Sequence, residues 1–148
     1  MGGNWHWGNV PLPESHLVLV VVGLVLGRVW PQSIGLNATW APVVGVTLVV
    51  VGVAGVVWAT RTAGRVKLAD PDRLVTDGPY GRSRHPMYVA WTIIYVGVLL
   101  ILDSVWLLVA LPVLAVWVHT ETGREEKRLS RVFGSAYKLY RSRVRRYL

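Results

Sequence analysis

A polar segment, residues 74–88, carries side chains that could bind a charged ligand or transfer a proton. An Asp-Gly-Pro turn at residues 77–79 delivers Tyr80, Arg84 and His85 to the start of an apolar run. The first backbone N–H groups of a helix have no partner within it, so this point favours an anion. From charge alone, Arg84 and His85 are also explained as ordinary cations beside an apolar span.

A second polar segment, residues 121–129, places Glu125 and Glu126 just past another apolar run. The two runs that separate the segments predict a helical hairpin, which would return Glu125 to the same face as His85 although 40 positions lie between them. On spacing alone, the two carboxylates also fit the electrostatics of a helix start, with partners such as Arg128 three residues on.

The elements that must position these residues are apolar. Of 148 residues, 53% are hydrophobic and 16% are charged, against roughly 25% charged in an ordinary soluble domain. An aqueous fold of this length would bury about 70% of its chain surface, too little to hide the long Val/Leu runs. We therefore predict an all-α integral membrane protein. The net charge of +8 lies in loops between apolar runs, which fits membrane orientation better than nucleic-acid binding.

Four apolar runs predict four transmembrane helices, over residues 16–30, 42–60, 86–102 and 105–119. The first run has 15 residues, about 22 Å of helix against a hydrocarbon core of about 30 Å, and is the weakest span. Its Gly23 and Gly27 form a small-residue face for a second helix. We expect Asp103 or Ser104 to cap the fourth helix and Pro112 to kink it.

The chain after residue 120 predicts an amphipathic interfacial helix that follows the spans. It carries nine basic and three acidic residues, and its apolar residues recur at helical spacing: Leu129, Phe133, Tyr137, Tyr140 and Val144. Such a helix suits an anionic membrane surface, so we expect membrane lipids as partners. The absence of cysteine removes disulfides and thiolate metal ligands, and the histidines lack metal-ligand spacing, so no metal site is predicted.

The distribution of basic residues predicts the orientation in the membrane. Six Lys and Arg lie in residues 61–87 and nine after residue 120, and only Arg28 lies elsewhere. The two basic segments flank the hairpin and must share one side, which the positive-inside rule makes cytoplasmic. The N- and C-termini are then both cytoplasmic. Residues 1–60 form an N-terminal two-helix membrane segment, and residues 61–148 carry the functional core.

The two polar segments combine into one ordered pattern. It reads Leu74-Val75-x-x-Gly78-Pro79-Tyr80, then Arg84-His85-Pro86-x-Tyr88, and after one helical hairpin Glu125-Glu126-x-x-Leu129-x-x-x-Phe133-Gly134-x-x-Tyr137-x-x-Tyr140-x-x-x-Val144. This pattern, over about residues 72–148, resembles the isoprenylcysteine carboxyl methyltransferase family, its bacterial relatives and the phospholipid N-methyltransferases. Two ordered motifs at compatible separation are more specific than either motif alone.

The resemblance implies that S-adenosylmethionine binds in a cytosol-facing pocket over the hairpin. The residues implied in cofactor binding are Arg73, Leu74, Val75, Tyr80, Arg84, His85, Pro86, Met87, Tyr88 and Glu125. Of Arg73 only the backbone is expected to make contact, because the eukaryotic family members have a histidine there. The cofactor is a zwitterion with a sulfonium, so it needs both charge signs and aromatic surfaces around it.

The acceptor is predicted to be lipophilic and to reach the site from the membrane. Glu121 stands where the eukaryotic enzymes carry an arginine for the substrate carboxylate, which argues against prenylcysteine as the native substrate and makes Arg124 the candidate substitute for that arginine. A carboxylate or thiolate acceptor needs alignment more than a base, whereas an amine must lose a proton, to Glu126, Tyr137 or His85. The catalytic residue is left open among Arg124, Glu126 and Tyr137.

Several other functions remain open from the sequence. Methyl transfer to a phospholipid amine or to a small thiol fits the same residues. Sterol reductases carry a similar Arg-His-Pro-x-Tyr stretch and use a nicotinamide cofactor, so an NADPH-dependent membrane reductase is a second class. A non-enzymatic membrane adaptor with a basic tail is a third. The oligomeric state is not predicted.

Overall fold

The computed structural model describes residues 13–64 and 73–148, and these residues contain helices and no β-strand. The predicted basic loop therefore lies partly outside the described residues, as does the chain before residue 13. Four α-helices follow in order: α1 (Glu14–Val29), α2 (Trp40–Ala63), α3 (Pro86–Leu102) and α4 (Val105–Arg143), with a short 3-10 helix at Gly78–Gly81 before α3. The all-helical prediction is confirmed.

Two of these helices are long and apolar enough to cross a membrane. They are α2 with 24 residues and α4 with 39, whereas α3 is apolar but has 17 residues. Valines on the outer faces of α2 and α4, such as Val50 at 62% and Val116 at 67%, are exposed. Such a broad apolar surface is typical of a membrane-facing protein. The crossing of the bilayer by all four helices stays a prediction.

Helices α2 and α3 pack closely because small residues face each other. A Cβ atom at Gly45 would lie 2.7 Å from the carbonyl oxygen of Gly97, and one at Gly52 would lie 2.8 Å from that of Ala90. In a membrane, small residues let two helix backbones approach and gain van der Waals contact. This contact fixes the start of α3, where the polar residues lie.

Helix α1 packs on α4 through its predicted small-residue face. A Cβ atom at Gly23 would collide with the side chain of Leu107, and one at Gly27 would touch Trp106 at 4.0 Å. A buried cluster that includes Leu107 and Tyr95 joins α1, α3 and α4. The Tyr95 hydroxyl donates to the Leu107 carbonyl at 2.9 Å.

The turn between α3 and α4 is tied to the loop after α1. Ser104 caps α4, since its hydroxyl accepts from the Leu107 amide at 3.4 Å. Asp103 instead takes a left-handed backbone conformation, with φ of 47°, and its carboxylate accepts from the amides of Gly35 and Leu36 at 3.2 and 3.1 Å. These bonds lower the pKa of Asp103, led by the one from the Ser33 hydroxyl.

Helix α4 differs from the prediction in two ways. It continues from the apolar run into the basic tail, where a separate interfacial helix was predicted. Its break in helical dihedrals is at Gly134, with φ of 51° and ψ of −118°, where none was predicted; the helical dihedrals continue through Pro112, and the kink expected there stays a prediction. The turn at Gly134 redirects Tyr137 and Tyr140, which are buried against the protein.

Candidate functional site

The polar site centres on one buried carboxylate, that of Glu126 in α4. Arg84 approaches Oε1 with Nη2 at 2.8 Å and with Nε at 3.1 Å. Arg146 donates from Nε to Oε1 at 3.0 Å and from Nη2 to Oε2 at 2.6 Å. The Glu126 side chain is only 4% exposed, so these charge-assisted bonds compensate for its loss of hydration.

The two arginines reach Glu126 because the chain after α4 folds back over the start of α3. We name residues 144–148 the C-terminal strap. The amide of Arg84 donates to the Arg145 carbonyl at 2.9 Å, and that of His85 donates to the Arg146 carbonyl at 3.2 Å. The Ser83 hydroxyl also donates to the Arg146 carbonyl, at 3.2 Å. The strap thus fixes both the backbone and the ion pairs of the site.

His85 lies between the two carboxylates of the second motif. Its Nδ1 lies 3.5 Å from Glu125 Oε2, and its Nε2 lies 3.3 Å from Glu126 Oε1. The His85 side chain is 1% exposed and that of Glu125 is 36% exposed. The hairpin therefore brings Glu125 to His85 as predicted, with Glu125 on the accessible side and Glu126 on the buried side.

The surroundings of Glu126 keep it ionised. It lies beyond the apolar part of α4, which ends near His119. Burial by itself would raise the pKa of Glu126, but the hydrogen bonds from Arg146 and the charges of Arg84, Arg146 and His85 outweigh it and lower the pKa to about 2. Such a carboxylate does not take up a proton at neutral pH, which argues against Glu126 as the general base.

Three tyrosines form the other side of the site. The Tyr140 hydroxyl donates to the Tyr80 carbonyl at 2.7 Å, and the rings of Tyr137 and Tyr140 lie 6.1 Å apart. The hydroxyls of Tyr80 and Tyr137 are buried without a hydrogen-bond partner among the described residues. An unpaired buried hydroxyl is costly and calls for a ligand or a water. Both therefore are donors that a bound molecule could use.

Burial keeps these phenols neutral. It raises the pKa of Tyr137 to about 12, with a further rise from the charge of Glu126. It also raises the pKa of Tyr80 above its ordinary range, with a contribution from Glu125. A neutral phenol can donate a hydrogen bond but is a poor proton acceptor at neutral pH. Tyr137 is therefore better suited to hold a ligand than to act as a base.

The remaining predicted cofactor residues are distributed around the start of α3. Pro86 is the first residue of the helix, and Met87 is buried with Tyr80 against Ala59 and Ala63 of α2. Tyr88 follows in the same helix, and three more lie in the preceding loop, where Arg73 is exposed and Leu74 and Val75 are half-buried. Met87 thus supports the ring of Tyr80.

Arg124, the predicted substitute for the family's substrate arginine, lies at the surface. Its side chain is 71% exposed, and Nη1 lies 2.8 Å from Glu121 Oε1. Glu121 stands where the eukaryotic enzymes carry the substrate arginine. It is therefore paired with Arg124, the residue predicted to take over the role of that arginine. Exposed pairs of this kind contribute little to stability, so Arg124 can exchange Glu121 for another anion.

Two residues of the strap that contact the site, Arg146 and Tyr147, escape the sequence-based prediction. Arg146 is one of nine basic residues after residue 120, and nothing in its spacing separates it from the others. The Tyr147 hydroxyl lies 2.9 Å from Thr122 Oγ1 and 3.4 Å from His119 Nδ1, and Arg146 Nη1 lies 3.3 Å from His119 Nε2. Their position depends on the reversal of the chain after α4.

An apolar cavity of about 470 Å³ lies beside the site, between α3 and α4. Its polar end, nearest the site, is formed by Tyr88, His119 and Tyr147, and the wall as a whole, which also includes Thr92, is almost entirely carbon. Along α4 the lining runs from Leu111 to His119, about 12 Å at 1.5 Å per residue. The cavity therefore leads from the polar site toward the apolar part of the helices.

The protein thus combines an apolar helical body with a charged, aromatic-lined site at one end and an apolar cavity beside that site. The model of the phospholipid methyltransferase family matches residues 40–136, more than half of the chain. The chain belongs to this family, which is related to the isoprenylcysteine carboxyl methyltransferases, and it is therefore a membrane methyltransferase. No curated protein matches the sequence.

This membership confirms the resemblance seen in the two motifs and favours the methyltransferase over the reductase and the adaptor. It implies S-adenosylmethionine as the methyl donor and suggests an acceptor of the lipid type. The match begins at α2, so it also covers part of the N-terminal segment, of which the resemblance in the two motifs covered little.

Proposed function

We propose that this methyltransferase binds S-adenosylmethionine between Glu125 and the Tyr80–Tyr137 pair, and transfers the methyl group to a lipid-like acceptor held in the adjacent cavity. The observation that carries the proposal is the pairing of an accessible carboxylate, Glu125, with two buried hydroxyls that lack partners. These groups provide an acceptor and two donors, which are the kinds of group that a zwitterionic ligand requires.

The charges around the site decide which residues hold which part of the cofactor. Glu125 is available to accept from an ammonium group or from ribose hydroxyls. Arg84 and His85 are both committed to Glu126, so the cofactor carboxylate is assigned to the phenol hydroxyls and to the free N–H groups at the start of α3. Arg84 and His85 then act mainly by fixing the site's shape.

When bound, S-adenosylmethionine supplies an electrophilic methyl group. The protein's contribution is to align the acceptor, which can lower the barrier by roughly 7–11 kcal/mol, and to exclude water. A carboxylate or thiolate acceptor needs no base. For an amine acceptor, Glu126 and Tyr137 are unsuited to take the proton, which leaves His85 and the accessible carboxylate of Glu125.

The acceptor is proposed to reach the cavity from the membrane on the cytoplasmic side. The cavity wall is apolar over most of its length, and each buried CH₂ group contributes about 0.8 kcal/mol. A lipid could therefore be held by its chain while its head lies near Tyr88. The cytoplasmic placement of the site and of both termini rests on the basic residues counted around the hairpin.

The test is a calorimetric titration with S-adenosylmethionine of the wild type, Glu125→Gln and His85→Ala. Loss of the charge-assisted bond should weaken binding to Glu125→Gln by about 1.5–3 kcal/mol. Arg124→Gln is the matched control, because it changes an exposed charge on the same turn, and its affinity should stay near that of the wild type. Unchanged affinity in both folded site variants refutes this binding site.

The acceptor can be found in the same preparation. Purified protein with isotope-labelled S-adenosylmethionine and a total lipid extract should give a product that is heavier by one CH₂ group and partitions with the lipids. A labelled product found only among water-soluble thiols or amines contradicts the lipid acceptor and leaves the cofactor site intact.

A further inference from the structure

The strap places one aromatic ring between the cofactor residues and the apolar cavity. Tyr147 and Tyr88 both line the cavity, and their rings lie 6.4 and 6.0 Å from the ring of His85. His85 itself does not line the cavity and is almost fully buried. The two tyrosines therefore form the wall that separates His85 from the cavity.

The Tyr147 ring is held from both ends. Its hydroxyl is fixed by Thr122, which is fully buried, and by His119 of α4. Its backbone follows Arg146, whose carbonyl accepts from the His85 amide and whose side chain holds Glu126. A ring fixed in this way has a defined position, and the free space beside it is correspondingly defined.

Tyr147 also stands at the end of the cavity where an acceptor's head must lie. The opposite end is lined by Ile93 and Leu111, both apolar, so a hydrocarbon chain fits there. The polar end carries Tyr88, His119 and Tyr147. An acceptor with its chain in the cavity thus presents its reacting group directly against the Tyr147 ring.

We propose that Tyr147 is the specificity-determining residue of the acceptor site, and that its ring limits the bulk of the head group that can approach the cofactor. The inference rests on the proposed function, because it takes the cavity as the place of the acceptor. A small head group fits beside the Tyr147 ring, whereas a bulky head group collides with it. Tyr147 acts through its size, and the hydroxyl serves to hold the ring in place.

The test compares two single-chain probes that share chain and net charge and differ in head bulk: lysophosphatidylethanolamine and lysophosphatidylcholine. Native mass spectrometry of the detergent-solubilised protein gives their affinities without requiring turnover. The wild type should bind the ethanolamine probe about tenfold more tightly, a difference of about 1.4 kcal/mol. In Tyr147→Ala the two affinities should lie within about twofold of each other.

Two variants separate the ring from other effects. Tyr147→Phe keeps the ring and should keep the discrimination. Leu148→Ala enlarges the same cavity at its neighbouring residue and should also keep it. If Tyr147→Ala fails to fold, Tyr147→Leu replaces it.

Equal binding of both probes by the wild type, or full discrimination by the folded Tyr147→Ala and Tyr147→Leu proteins, overturns the role of Tyr147. Failure of the proposed function gives a different result. The wild type would then not bind S-adenosylmethionine in calorimetry, although it would still bind the ethanolamine probe more tightly than the choline probe.

Discussion

Arg146 of the strap binds Glu126 of α4 through two parallel hydrogen bonds, at 3.0 and 2.6 Å. The same carboxylate is shared with Arg84 before α3, so one buried anion joins three separate parts of the chain. Bidentate pairs of this kind are geometrically specific. The site is therefore held together by its own charges. Removing one of them should lower the stability of the fold more than it lowers ligand affinity.

Replacing Glu126 with Gln should destabilise the protein by about 3 kcal/mol, because two arginines are left near each other without a buried anion. Glu125→Gln is the matched control: it changes the neighbouring carboxylate, which is more exposed and lies 3.5 Å from His85. Thermal unfolding in detergent micelles measures both. Equal unfolding temperatures for the two variants would show that Glu126 does not organise the site.

Stability should also depend on pH through Glu126. Its pKa is lowered in the folded state from 4.5 to about 2, so the folded state binds this proton less readily than the unfolded state. The stabilisation is fully present above pH 4.5 and is lost as the pH falls toward 2. The difference in unfolding free energy between wild type and Glu126→Gln should therefore shrink over that interval. A constant difference from pH 5 down to pH 2 contradicts the assignment.

The sequence predicted the elements better than it predicted their ends. The apolar run of residues 86–102 coincides with α3, because Pro86 suits the first position of a helix and Asp103 adopts a left-handed turn after it. The end of the fourth helix was missed. Pro112 lies within a helix that continues past it, whereas Gly134 can take a positive φ at little cost and sets the break in helical dihedrals.

The site was predicted in part, for a clear physical reason. His85 and Glu125 lie close together because a helical hairpin joins them. The connection between its two helices is short, and a short connection makes consecutive helices neighbours, which can be predicted from the sequence. Arg146 and Tyr147 lie on a strap whose path depends on carbonyl oxygens that accept from Arg84 and His85. Backbone pairing of this kind leaves no pattern in residue type. The guanidinium of Arg84 binds Glu126, a partner that the sequence did not indicate, and its cofactor contact stays a prediction.

The contact between α2 and α3 gives a further prediction. A Cβ atom at Gly97 would lie 2.7 Å from the Gly45 carbonyl and 3.0 Å from the Val49 amide, and neither backbone group can move aside easily. Gly97→Ala should therefore lower stability by about 1–3 kcal/mol despite the better helix propensity of alanine. Gly123→Ala in α4 meets nothing within 4 Å and should be neutral or slightly stabilising. Similar unfolding temperatures for both variants contradict the close packing.

The proposed topology can be tested with single cysteines, since the chain has none of its own. Thr76 and Ser142 are exposed on the two basic segments, and Gln32 is exposed in the loop after α1. In sealed inside-out vesicles a membrane-impermeant maleimide should label Thr76→Cys and Ser142→Cys but not Gln32→Cys. Labelling of Thr76→Cys and Ser142→Cys from opposite sides would remove the composite site.

The last prediction concerns the chain of the acceptor. If the apolar cavity holds that chain, kcat/KM should rise with chain length, by up to roughly fourfold for each added CH₂ group at about 0.8 kcal/mol. Acceptors with one head group and increasing alkyl length, presented in nanodiscs, provide the series. Ala115 lines the cavity, so Ala115→Phe should shorten the chain length at which the rise stops. Val116 faces outward on the same helix, and Val116→Phe should leave the series unchanged. A flat series in the wild type, or a water-soluble thiol that is methylated faster than every lipid analogue, would show that the acceptor comes from the cytosol instead, since burial of a chain could then contribute nothing to the transition state.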